Sequence, residues 1–185
     1  MADWAIDREE SGKKMTTEAV STSDVTDVSD EFRAFQAKVR GTNVNEQTLL
    51  ATDYLNHFNE VVMLLEMIPD MPELLEEAKA WRPKSYQDHF RESGFADAAL
   101  AVEAYGHVPE RYRKPFERTI RQLDELIKVS LERLEADMKG GNADLLREDA
   151  QTLSRVIQRV QDIASGIIHG REHPMDQSEI DSLIG

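Results

Sequence analysis

The sequence predicts an all-α protein: a helical bundle built on a long antiparallel helical hairpin, with shorter N-terminal helices packed over it and flexible tails. Three observations predict it. Two long segments, 115–139 and 142–168, each carry an apolar seam at alternating spacings of three and four. The stretch 29–106 breaks into short helical patterns punctuated by Pro and Gly. The period-two alternation of a strand is absent.

The elements follow in order. Residues 1–28 are rich in Ser, Thr, Asp and Glu without periodicity, so they cannot bury enough apolar surface to offset ordering entropy and are expected to form a disordered acidic tail. The opening "MADWAIDREESGKKM" lacks a basic start followed by an apolar run, so no secretory leader is expected. A first helix, "SDEFRAFQAKVRG", places Phe32, Phe35 and Val39 on one face, with Ser29 or Asp30 as cap and Gly41 as stop. A second is expected over "NEQTLLATDYLNHFNEVVMLLEMIP", where Leu50, Tyr54, Phe58, Val61, Leu65 and Ile68 share a face and Pro69 ends it. Leu49, Val62, Met63 and Leu64 widen its apolar arc, as befits a central helix. Asp70 is expected to cap "MPELLEEAKAW", which Pro83 terminates. Ser85 opens a short helix that stops near Gly94, and "FADAALAVEAYGH" forms another that stops at Gly106. These pieces carry most of the aromatics and are expected to pack as a cap on the longer helices.

In 115–139 the seam is Phe116, Ile120, Leu123, Ile127, Leu131, Leu134 and Met138. In 142–168 it is Leu146, Ala150, Leu153, Ile157, Val160, Ala164 and Ile167. "KGGN" between them supplies a Gly C-cap and an Asn N-cap, a connection short enough for antiparallel neighbours. Domain boundaries follow: a helical domain at 29–170 (29–106 shorter helices, 115–168 hairpin), a linker at 171–175 and a short amphipathic helix at 176–185.

Composition narrows the function. The formal charge is −14, from 36 acidic against 22 basic residues. That argues against a nucleic-acid backbone as partner and against an anionic membrane surface. There is no cysteine, which excludes disulfides, thiolate metal sites and cysteine nucleophiles. No stretch approaches the roughly 20 apolar residues of a membrane span. A cytoplasmic protein is the default expectation.

The segment "MDQSEIDSLIG" has its own helix logic. Asp176 and Glu179 form a capping box, Met175 and Ile180 a hydrophobic staple, and Ile180, Leu183 and Ile184 share one face. Two turns are too short to be stable alone, so the segment is expected to fold against a groove. It resembles the peptide of the flagellar switch protein FliM, "LSQ-E/D-EIDALL", which docks on the response regulator CheY: "DQSEIDSLI" shares the Gln, the "EID" and the aliphatic pair after it. It is similar too to the acidic-aliphatic C-terminal helix of the phosphatase CheZ, "DQxxVDDLLxSLGF", which docks on the same regulator. The resemblance implies a CheY-like receiver as partner. Ile180, Leu183 and Ile184 would be anchors, Glu179 and Asp181 would face basic residues of the receiver, and Gln177 would lie in the first turn. The alternative is a last helix folded back on the domain.

CheZ is a long helical hairpin that dimerises into a four-helix bundle, so the resemblance also raises phosphatase activity. Its motif "QDxTGQ" is matched by "QDIASGI" at Gln161 and Asp162, but Gly166 stands where the water-orienting Gln belongs. The pair Gln158 and Asp162, one turn apart, is the weak catalytic candidate that remains. A non-enzymatic regulator or adaptor in chemotaxis or two-component signalling is therefore the leading expectation. A CheZ-like phosphatase and a structural oligomer are the alternatives, and a homodimer through the hairpin is as plausible as pairing within one chain.

Other constellations are thin. His57 with Glu60 and His89 with Glu92 repeat one spacing, but in the reverse order to the Glu-x-x-His of di-iron bundles and without the further carboxylates. His57 and His89 are expected to be partly buried near Tyr54 and Phe90. His169 and His173 stand one turn apart at a helix end, where the dipole favours them. Gly-rich phosphate loops and serine-hydrolase patterns are absent. No metal or cofactor is expected.

Overall fold

The computed structural model describes residues 30–171. These form seven α-helices and one short 3-10 turn, with no strand among the described residues beyond an isolated antiparallel bridge between Val44 and Ala51. The helices are α1 (Asp30–Val39), α2 (Asn56–Met67), α3 (Leu74–Ala80), α4 (Tyr86–Glu92), α5 (Ala98–Tyr105), α6 (Glu110–Gly140) and α7 (Ala143–Ile168). The 3-10 turn is Thr52–Leu55. Among the described residues no helix is long and apolar enough to cross a membrane.

α6 and α7 pack on each other, and their facing seams are the main core. Phe116, Leu123, Ile127 and Leu134 of α6 and Ile157, Val160 and Ile167 of α7 are essentially excluded from water. Each such side chain contributes about 1.5–3 kcal/mol by burial. Ala150 and Ala164, also buried, let the two backbones approach. Gly141 takes a left-handed φ of 69° as the C-cap of α6, and the Asn142 side chain accepts from Leu145 N–H to start α7. The two helices run in opposite directions. Gln47 shows this, because its amide donates to Tyr112 Oη at the start of α6 while its side chain lies against Gly170 just past the end of α7.

α2 lies on α7, also opposed in direction: Gln161 donates to Asn59, Gln158 to Glu66, and Arg147 to Asp70. α3 reaches α6 through Lys79, which bridges Glu76 and Glu135. α4 and α5 pack on each other beside the 3-10 turn.

Three expectations are corrected. The segment 45–51 is not helical. Asn45 Oδ1 captures the amides of Gln47 and Thr48 at 2.8 and 3.0 Å, and Leu49 takes φ +62°. A local side-chain acceptor here outcompetes the helical ladder, although Leu49 and Leu50 stay fully buried. Asp70 does not cap α3, whose first residue is Leu74 and whose N-cap Glu73 makes no side-chain bond. Its carboxylate is taken instead by Arg147 of α7 at 2.6 Å, which holds Asp70 below the usual carboxylate range. α6 begins at Glu110 rather than 115, with Pro115 inside it. A proline so close to the N-terminal turn removes only one ladder bond, and the preceding residues bury Tyr112.

α7 is closed off. Gly170, at φ +89°, donates to Ile167 O, and Arg171 N–H donates to Gly166 O, each at 2.9 Å. This is the paired bonding of a left-handed C-cap. Thr48 Oγ1 adds a 2.6 Å bond to Ile168 O.

Candidate functional site

Gln177, Glu179, Ile180, Asp181, Leu183 and Ile184 lie outside the described residues, as do the 1–28 tail and His173. The catalytic candidates are described. Gln158 and Asp162 are both exposed on α7, and the Gln158 amide donates to Glu66 Oε1 at 2.9 Å. Gln161, next to Asp162, is buried, and its amide donates to Asn59 Oδ1 at 2.8 Å and Leu55 O at 3.4 Å. Gly166 is buried, and a Cβ there would meet Arg171 Cδ at 2.9 Å.

His57 is buried and stacks on Trp81, ring centroids 4.9 Å apart. His89 stands 6.0 Å from it and edge-on to Tyr54 and Phe90. Burial lowers both imidazole pKa values, and for His57 the neighbouring His89 adds to the effect. Both rings are therefore neutral at physiological pH. Glu60 is exposed, and Glu92 pairs with Lys84 at 2.8 Å. Among the described residues no group of three His, Asp or Glu could hold a metal. His169 Nδ1 lies 2.8 Å from Ser165 O on its own helix.

The structure brings together a site the sequence did not announce. Trp81 and Ser85 have extended backbones, ψ 142° and 155°, so the chain crosses α6 uncoiled between α3 and α4. Trp81 is pinned there by a bond from Nε1 to His57 O at 3.1 Å, and Ser85 caps α4. Between this crossing and α6 lie two cavities of about 320 Å3 each. Pro83 and Asp124 line both. One cavity is walled by Tyr54, Tyr86, Tyr105 and Phe116. The other runs past Trp81 and Leu131.

The polar groups of the aromatic cavity are largely engaged. Tyr54 donates to Lys84 O at 2.7 Å, Tyr86 Oη accepts from Ala51 N–H at 2.8 Å, and Tyr105 lies 3.0 Å from Glu117 Oε1. Burial raises all three phenol pKa values, so each stays protonated. Asp124 is the exception: its Oδ1 is shielded from solvent and has no hydrogen-bond partner. Burial first, and then Glu125, push its carboxyl up to about 6. A half-buried, perturbed carboxyl in an aromatic cleft marks a functional-site candidate.

Sequence reasoning missed it, although one signal could have found it. Asp124 falls four residues after Ile120 and three before Ile127, which places a carboxylate at the edge of an apolar seam. No family model, curated protein or solved structure matches the chain.

Proposed function

We propose that the protein is a non-enzymatic regulator or adaptor in bacterial chemotaxis or related two-component signalling, acting in the cytoplasm. Its C-terminal segment 176–185 binds a CheY-like receiver domain. The observation that carries this reading is "DQSEIDSLI" itself, with its capping box, its staple and three aliphatics on one face. The closed end of α7 is consistent with it: the left-handed cap at Gly170 stops that helix before the segment begins. Ile180, Leu183 and Ile184 fill a groove on the receiver, while Glu179 and Asp181 steer towards its basic residues. In this reading α6 and α7 are the long antiparallel hairpin of a helical bundle that supplies location or a second contact.

The phosphatase alternative draws no support from α7. Its Gly166 has no side-chain amide to orient water, and the Gln161 amide is committed to Asn59 of α2 and to Leu55 O. A peptide of residues 175–185 should bind phosphorylated CheY, and its Leu183→Ala, Ile184→Ala version should bind at least about 30-fold more weakly, as loss of two anchors implies. The intact protein should leave CheY dephosphorylation at its intrinsic rate. Acceleration would replace the adaptor reading with the enzymatic one, and equal binding by both peptides would remove the receiver altogether.

A further inference from the structure

The cleft between the 81–85 crossing and α6 is independent of the receiver reading. Five cations line it: Arg121 and Lys128 are exposed on α6 and neither bonds Asp124 Oδ1, and the other three are engaged elsewhere. Lys84 is paired with Glu92 at 2.8 Å. The Arg82 guanidinium donates to the carbonyls of Lys79 and Trp81 at 2.5 and 2.7 Å. Lys79 bridges two glutamates. Asp124 is left with a shielded oxygen and no donor. A carboxylate there lacks the counterion that a buried charge requires.

The walls favour a cation as the missing partner. Tyr54, Tyr86, Tyr105 and Phe116 surround the cavity. Aromatic ring faces carry negative potential and attract ammonium groups when water is excluded. The chain's −14 charge raises the local concentration of cations around it. A volume of about 320 Å3 suits one small molecule, not a peptide.

We propose that this cleft is a binding site for a small organic amine, its ammonium donating to Asp124 and its apolar body lying against Tyr54, Tyr86 and Phe116. The Asp124 carboxylate at the cavity wall supplies the charge that holds the ammonium, and the aromatic walls select an apolar body over a bare metal or inorganic ion. Occupation would couple the 81–85 crossing to α6 through Pro83, which lines both cavities.

The test uses the full chain and calorimetric titration at pH 7.5 with four probes: phenethylamine, hexylamine, the neutral 2-phenylethanol and the anionic 3-phenylpropionate. At least one amine should bind saturably, with the neutral and anionic probes at least about 10-fold weaker, the size of one charge-assisted bond. Asp124→Asn keeps shape and removes charge. It should fold and lose amine binding by a similar factor, while amide resonances of 81–86 and 117–124 cease to shift on titration. Tighter binding of 3-phenylpropionate would make the cleft an anion site and overturn the proposal. So would unchanged amine binding by Asp124→Asn, or no saturable binding of either amine up to roughly 10 mM.

Discussion

Asp124 carries a stability cost as well as a binding role. Its carboxyl is raised from 3.8 to about 6 in the folded chain, so between those values the native state holds a proton that the unfolded state has released. Stability therefore falls as pH rises through that window, and the loss is complete above about 6. The full shift would correspond to about 3 kcal/mol, but the side chain is only half-buried, and solvent screening reduces this to about 1 kcal/mol. His57 and His89 act in the opposite sense. Their folded pKa values are lowered, so their neutral forms are favoured, and the stability they contribute is present above about 6.5 and lost as pH falls below it. Urea unfolding across pH 4–8 should show Asp124→Asn more stable than the parent by about 1 kcal/mol at pH 7.5, with that gain vanishing near pH 4. A gain that persists unchanged at pH 4 would mean that the carboxyl is not perturbed.

Among the elements, those with strong local signals were legible. The seams of α6 and α7 place Phe116, Ile127, Leu134, Ile157 and Ile167 in the core as their spacing requires. Ser85 and Asn142 cap the helices they precede. Competition defeated the reading elsewhere. Asn45 holds two amides in a turn where periodicity alone suggested helix, and Asp70 serves an ion pair with a helix 77 residues away where local spacing suggested a cap. The end of α7 depends on another long-range contact. A Cβ at Gly170 would stand 2.5 Å from Gln47 Oε1, in a left-handed conformation that side chains disfavour. Gln47 would have to move, giving up its bond to Tyr112. Gly170→Ala should lower unfolding free energy by about 1–2 kcal/mol in urea. An unchanged midpoint would mean that this end of α7 is not held as described.

At the scale of the whole molecule, the predicted helical class is observed across residues 30–171, while the cleft was only partly legible. Its aromatics were visible as a cluster in 54–105, but the partner they face is α6, and Asp124 joins them only because Trp81–Ser85 crosses that helix. Such a juxtaposition depends on tertiary packing, which no local pattern encodes. In the proposed reading the receiver contact belongs to segment 176–185, and α7 ends before it in the left-handed cap at Gly170. Domain and segment should therefore be separable in binding. Calorimetry with beryllofluoride-activated CheY is the most direct measurement, comparing the full chain with a version ending at Pro174. The full chain should bind in one-to-one stoichiometry and the shortened chain should not bind. Equal binding by both, or none by the full chain, would contradict the account.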